Sequence, residues 1–471
     1  MSVEAPRQYD PTALLPIITG LAWLLGAHGI AWLICALLPG GLLLASGTSA
    51  LLWPGEGKIS QYMALGGLLG VVLSLPALLF GGFGVVMLLT LASAACFVVA
   101  GRSALVVGST TNAPNPGRDP ATYAKAALDE ALVGYFVAVA KVPSGAAAER
   151  MCRDALKLEA VLGERGAFDD PAGFHAAPGV PDDPRLTTAR GAGFEFQNLQ
   201  FASGYSPTPE LPGGDLWPGY TANRTCNVNL FRRSEPGRPW LLCIHGYRMG
   251  MPFLDLRLFP PALLHQRYRL NMVLPTLPLH GTRRCGLQSG DRFLDGNLLD
   301  LLHAETQTLW DLRRTIAWIR AQEPDAKIGV LGYSLGGYNA ALLASHEPGL
   351  DFVVAGIPVC DFASTLWQHI PAQHRRYFAE QGLDQDRYRR LLQVVSPVTL
   401  APKLASERLH IFAGVADRIV LPPQPLQLAQ HWGRAVQWYP GGHLTFRGER
   451  AVDRCIEDAM TSAGWTLRDA N

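Results

Sequence analysis

The sequence predicts an α/β architecture, a mostly parallel sheet with helices on both faces, preceded by an amino-terminal region of membrane-spanning helices. Three observations predict it. After Gly191, strand-like and helix-like runs take turns, as they do where parallel strands are joined by crossover helices. Before Gly101 the chain is almost free of charge, with Glu56 and Lys58 the only charged side chains from Pro11 onward. Only 17% of the 471 residues are charged, against about 25% in an ordinary soluble domain, and this region supplies much of the deficit.

Residues 1–105 read as a multi-pass transmembrane region. Two uncharged stretches, Pro11 to Pro54 and Ile59 to Gly101, flank the loop around Glu56 and Lys58. Each exceeds the roughly 20 apolar residues that one crossing needs. The second divides at Phe80-Gly81-Gly82 and the first less evenly, so three or four spans fit. A cleavable leader is disfavoured, because the apolar run is too long and the segment with Glu4, Arg7 and Asp10 is not basic. Four spans put Arg7, Lys58, Arg102 and Arg118 on one side, which the excess of cytoplasmic Lys and Arg makes the cytoplasm; three would divide them. Four is the favoured count, with a cytoplasmic carboxy-terminal domain. His28 is read as marking a turn near the interface.

Residues 106–190 read as a helical connector. Asn112 to Gly117 breaks the chain, Tyr123 to Val142 and Ala146 to Leu162 have helical composition, and Asp169 to Pro184 is loop-like. No chemistry is assigned to it. From 191 to 471 one domain is expected. Its strands are Phe194 to Phe201, Cys226 to Phe231, Trp240 to Ile244, Leu270 to Leu274, Ile328 to Leu331, Phe352 to Ile357, Leu409 to Ala413 and Ala435 to Tyr439. Leu301 to Ala321 and Leu335 to Ala344 are its clearest helices. The stretch 361–406 is too long for a plain connection and reads as a helical cap.

The chemistry centres on Gly332-Tyr333-Ser334-Leu335-Gly336, a G-x-S-x-G turn between an apolar strand and a helix. Small residues two before and two after the serine permit a sharp turn that lifts its hydroxyl off the sheet, so Ser334 is the candidate nucleophile. A helix-capping serine is the ordinary alternative. A hydroxyl needs a base, and the base an orienting carboxylate. Asp417 and His443 each follow a predicted strand and supply both; Asp361 is the alternative acid, although capping the next segment suits it better. The Leu335 amide, just after the serine, is one expected donor to a developing oxyanion, and the Tyr247 amide in His245-Gly246-Tyr247 is the second. His245 reads as a structural residue of that loop. Arg283 and Arg284 suit either an anionic substrate group or salt bridges within their turn.

These residues, His245-Gly246, the elbow at Ser334, Asp417 and His443 in that order, resemble the α/β-hydrolase superfamily from about Gly191 to Trp465. Leu277 to Arg283, with His280-Gly281, sits where that superfamily often has a Gly-His-Gly turn. A looser similarity is to the α/β-hydrolase-domain-containing protein 18 group. The superfamily resemblance implies a serine hydrolase acting on an ester, thioester or amide, with neither metal nor organic cofactor.

The expected function is therefore a membrane-anchored serine esterase acting through an acyl-serine intermediate on a lipid or other apolar ester, the substrate class being inferred from the anchor. A peptidase or amidase, an acyltransferase and a catalytically silent membrane adaptor are the alternatives. Net charge is +1 without a basic run, which excludes the usual footprint of a nucleic-acid binder. The eight cysteines form no C-x-x-C pair, and no H-E-x-x-H stands among the histidines, so no metal site is expected.

Overall fold

The computed structural model describes residues 10–26, 29–107, 112–233, 235, 237–294 and 297–465. Arg7 and His28 lie outside them. The chain forms two compact units. The smaller comprises Met1–Ala140, Ala413–Pro423 and Trp438–Arg450, and the larger the remainder.

The described part of the smaller unit opens with a 3₁₀ turn, Pro11–Ala13, in which the Thr12 amide donates to the Asp10 carboxylate. Four apolar helices follow: α1 (Leu14–Leu25), α2 (Ile30–Leu52), α3 (Lys58–Ala77) and α4 (Phe83–Val107). Among the described residues three helices are long and apolar enough to cross a membrane, Ile30–Leu52, Lys58–Ala77 and Phe83–Val106, whereas the apolar segment Pro11–Leu25 is shorter. Small residues let the helices approach closely, as apolar bundles require. A Cβ on Gly20 would lie 2.6 Å from the Leu44 nitrogen, and one on Gly70 would lie 2.3 Å from Ser93 Oγ. The buried indoles are satisfied: Trp23 Nε1 donates to Ser93 Oγ at 3.0 Å and Trp32 Nε1 to the Trp23 carbonyl at 3.1 Å. Large apolar side chains such as Ile34, Leu79, Leu88 and Leu91 face outward.

Helix α5 (Pro120–Val139) completes this unit. It starts where Asp119 accepts a hydrogen bond from the Thr122 amide and Pro120 occupies the first turn, both strong helix-start signals. It packs on α3 and α4. At its crossing with α4, a Cβ on Gly101 would lie 1.8 Å from the Tyr123 carbonyl oxygen. Composition gave the helix but not this packing.

The larger unit starts with α6 (Ala146–Glu164) and carries most of a nine-stranded sheet. Its strands are β1 (Arg185–Gly191), β2 (Phe194–Ala202), β3 (Thr225–Phe231), β4 (Trp240–Ile244), β5 (Asn271–Pro275), β6 (Ile328–Tyr333), β7 (Phe352–Gly356), β8 (Leu409–Gly414) and β9 (Val436–Tyr439). Their order is β1-β2-β3-β5-β4-β6-β7-β8-β9. The first three and β5 pair antiparallel, whereas β5, β4, β6, β7 and β8 run parallel. Strands β4 to β7 are buried along their whole length, which explains their unbroken apolar runs. β1 was not legible: Arg185-Leu-Thr-Thr-Ala-Arg-Gly191 is an exposed edge strand with no apolar alternation.

The helices of this unit are α7 (Pro252–Leu258), α8 (Leu298–Gln322), α9 (Leu335–His346), α10 (Phe362–His369), α11 (Ala372–Glu380), α12 (Gln385–Leu391), α13 (Pro423–Trp432) and α14 (Arg450–Ser462). α10 to α12 occupy the stretch expected to be helical between β7 and β8.

A buried ion pair ties the turn after β5 to α8. Arg283 has no exposed side-chain surface and meets Asp311 at 2.7 Å. It also donates to the carbonyls of Thr276 at 3.0 Å and Asn223 at 2.8 Å. Buried and paired with Asp311, Arg283 offers no surface to a substrate anion, so of the two readings the salt bridge holds, with its partner on α8 rather than within the turn. Asp311→Ala would strand this buried cation and should cost about 3–5 kcal/mol of stability, measurable as a shift of the denaturant-unfolding midpoint.

Candidate active site

The turn from β6 to α9 holds Ser334 in an unusual backbone conformation, φ 59° and ψ −116°. A non-glycine residue there is strained, and such strain persists only where the surroundings enforce it. The enforcement is visible. The Ser334 amide donates to the Gly356 carbonyl at 2.9 Å, and the Ser334 carbonyl accepts from the Tyr338 amide at 3.0 Å. The flanking glycines have no room for a side chain: a Cβ on Gly332 would fall 2.0 Å from the Gly336 oxygen, and one on Gly336 would fall 1.9 Å from the Ile244 oxygen. Leu335 is buried and opens α9, so its amide lies at a helix amino terminus, where negative charge is favoured.

The loop after β4 lies beside the serine. A Cβ on Gly246 would sit 3.7 Å from Ser334 Cβ, which puts the Gly246-Tyr247 peptide at the elbow. The Tyr247 ring packs against His280 and Phe293, and Arg248 lies over it. His245 holds the loop: its Nε2 accepts from the Leu277 amide at 3.1 Å, and its Nδ1 lies 2.8 Å from the Gly246 carbonyl. Burial keeps this imidazole below its ordinary pKa, so it is the neutral acceptor that the Leu277 amide needs.

Asp417 and His443 meet within the smaller unit. His443 Nδ1 lies 2.7 Å from Asp417 Oδ2, and both side chains are buried. Asp417 Oδ1 accepts from the amides of Ile419 at 2.9 Å and Val420 at 2.8 Å, which fixes the carboxylate. Nδ1 therefore carries its proton toward Asp417, and Nε2 is the nitrogen left to exchange one. Burial would lower the His443 pKa, but the charge and hydrogen bond of Asp417, helped by the charge of Asp129, raise it above the ordinary 6.5. Asp361 has the other work that its sequence position suggested: it caps α10 through the Ser364 amide at 3.0 Å and pairs with Arg389 at 2.9 Å.

Residues 306–438 match the Prolyl oligopeptidase family. The uncharacterized protein MT2702 of Mycobacterium tuberculosis (strain CDC 1551 / Oshkosh) is 37% identical over 346 residues, 72% of this chain and 82% of that one. Uncharacterized protein Rv2627c of Mycobacterium tuberculosis (strain ATCC 25618 / H37Rv) matches with the same identity and coverage. Among solved structures, acetyl xylan esterase 1 from Thermoanaerobacterium sp. JW/SL YS485 is similar with a TM-score of 0.43 and 15% identity, over 63% of this chain and 93% of that one. Acylaminoacyl peptidase of Pyrococcus horikoshii is similar with a TM-score of 0.36 and 13% identity, over 62% of this chain and 43% of that one.

A mostly parallel sheet with a serine elbow at the end of a central strand, matched to the Prolyl oligopeptidase family, defines an α/β-hydrolase of the serine-hydrolase type. Within that superfamily the chain belongs to the same family as the Mycobacterium tuberculosis proteins MT2702 and Rv2627c.

Two outcomes are expected. Gly336→Ala should abolish folding of the elbow, seen as loss of a cooperative thermal transition, because the group it would strike is backbone. The pH dependence has a definite sign. Since the folded-state pKa of His443 is raised above 6.5, its contribution to stability is complete below 6.5 and is lost as pH rises through the raised value. Asp417→Asn should flatten that loss, which melting temperatures between about pH 6 and 9 would record.

Proposed function

We propose that the protein is a membrane-anchored serine hydrolase that cleaves a carboxylic ester, with a lipid or other apolar acyl group as the favoured substrate. The observation that carries this reading is the buried hydrogen bond between His443 and Asp417, in a chain whose strained elbow serine precedes both. Ser334 Oγ attacks the ester carbonyl as His443 Nε2 takes its proton. Asp417 stabilises the imidazolium, and the Leu335 and Tyr247 amides stabilise the oxyanion. His443 then returns the proton to the leaving alcohol, and water admitted to the acyl-serine completes hydrolysis by the same steps in reverse. Helices α10 to α12 serve as the cap.

The three long apolar helices support anchoring, and an anchored enzyme meets esters dissolved in or leaving the bilayer. We place the hydrolase domain in the cytoplasm. That topology has Pro11–Leu25 cross as a fourth span; 15 residues of helix reach only about 22 Å, so the bilayer thins around it. A carboxy-terminal reporter active only in the cytoplasm should give signal, and signal from a reporter active only outside would reverse the orientation.

Match to the Prolyl oligopeptidase family favours one second reading, cleavage of a peptide or other amide by the same groups. A fluorophosphonate probe should label the detergent-solubilised wild type and not Ser334→Ala. Labelling retained in that variant, or none in a folded wild type, sinks the serine-hydrolase reading. Paired acyl esters and acyl amides then decide between the two substrates. Asp417→Asn should lower the labelling rate by a factor on the order of 10⁴.

A further inference from the structure

Helix α5, to which the sequence assigned no chemistry, carries two adjacent acids, Asp129 and Glu130, with 0% and 1% of their surface exposed. A buried carboxylate survives only with donors around it, and here the donors are the main chain of the loops bearing Asp417 and His443. Asp129 Oδ2 accepts from the His443 amide at 2.6 Å and the Arg418 amide at 3.1 Å, and Oδ1 accepts from the Leu444 amide at 3.1 Å. One carboxylate thus holds the residue after Asp417, His443 itself and the residue after His443. Glu130 adds a second tie: it pairs with Arg418 at 2.8 Å and accepts from Ser60 Oγ, in the first turn of α3, at 3.1 Å. Lys125, one turn earlier on α5, donates to the Pro440 carbonyl at 3.0 Å and meets Glu449 at 2.9 Å.

The glycine before His443 belongs to the same arrangement. Gly442 has extended backbone angles open to any residue, φ −95° and ψ −179°, but a Cβ there would stand 2.5 Å from Asp129 Oδ2. Its lack of a side chain serves the approach of Asp129.

We propose that Asp129 is a positioning residue for the Asp417–His443 pair, setting both the register of the two loops and the charge that the imidazole feels, so that the helix packed on the apolar bundle is part of the enzyme's acid–base machinery. The inference rests on the proposed role of His443. Other charged or titratable groups face this region, namely Asp417, Tyr439, Glu449, Lys125, Glu130 and Arg418. Burial and the Asp417 charge push the Asp129 carboxyl up to about 7, against the opposing pull of His443 and the amide donors.

The test is a histidine titration of the full-length protein in detergent, by NMR of ¹³C-labelled histidine with the His443 signal assigned from His443→Gln, alongside fluorophosphonate labelling rates. Asp129→Asn keeps the shape but removes the charge and turns an NH₂ toward one of three amide donors. It should lower the His443 pKa by about half a unit or more and slow labelling by about 10²-fold, the cost of a misplaced group. Gly442→Ala, which keeps the charge and displaces the loop, should slow labelling while the imidazole pKa stays closer to wild type; it also answers the question if Asp129→Asn does not fold. A folded Asp129→Asn with wild-type His443 titration and wild-type labelling overturns the proposal, as does a Gly442→Ala that labels at the wild-type rate. If the wild type is not labelled but the His443 titration moves in Asp129→Asn, the hydrolase reading falls and the positioning of the pair stands.

Discussion

A carboxylate with no exposed surface has to be surrounded by donors, and Asp129 meets that demand with three main-chain amides from two loops rather than with a cation. The consequence runs outward from there. Main-chain amides cannot swing away as a Lys or Arg side chain can, so the carboxylate and the two loops fix one another. The Asp417 carboxylate is fixed in turn by the amides of Ile419 and Val420, and His443 is held between an amide bond on its backbone and a carboxylate on its ring. The Asp417 carboxylate on Nδ1 fixes the tautomer and the orientation of the imidazole.

The elbow solves a different problem with the same economy. At Ser334 the strain of a positive φ is held by contacts that exclude any side chain at Gly332 and Gly336. A substitution that relieved the strain would have to widen the space between β6, α9 and β4, and those elements are fully buried. Energy stored in this backbone comes from the packing of the central strands, which is why an apolar run as unbroken as Trp240 to Ile244 lies behind a polar site.

What the sequence disclosed follows from which signals are local. The elbow is a pentapeptide between a strand and a helix, and Asp417 and His443 follow their strands in order, so chain position and residue type were enough to nominate them. Strands buried on both faces announce themselves as apolar runs. β1 does not, because its side chains face water and carry no period. Arg283 looked like a possible anion ligand because sequence shows its charge but not its burial; Asp311, 28 residues away, consumes that charge. Asp129 escaped for a third reason. Its partners lie some 290 to 315 residues later and are backbone amides, which leave no trace in residue identity. One clue was present. Within Ala126-Ala127-Leu128-Asp129-Glu130-Ala131-Leu132-Val133 two adjacent acids interrupt an apolar helix, and acids in such a setting call for partners.

Those partners also change what the amino-terminal region means. A tether needs only length and hydrophobicity, and its sequence beyond the last span is free to vary. Here Ser60 at the start of α3, Gly101 on α4 and Lys125, Asp129 and Glu130 on α5 are each bound by a specific contact, and the last three reach the loops of Asp417 and His443. Replacing the apolar bundle by unrelated helices would remove α5 from its seat, leaving the buried Asp417–His443 pair without the carboxylate that holds its loops. The apolar helices and the loops of Asp417 and His443 accordingly lie in one compact unit, although more than 270 residues of chain separate them.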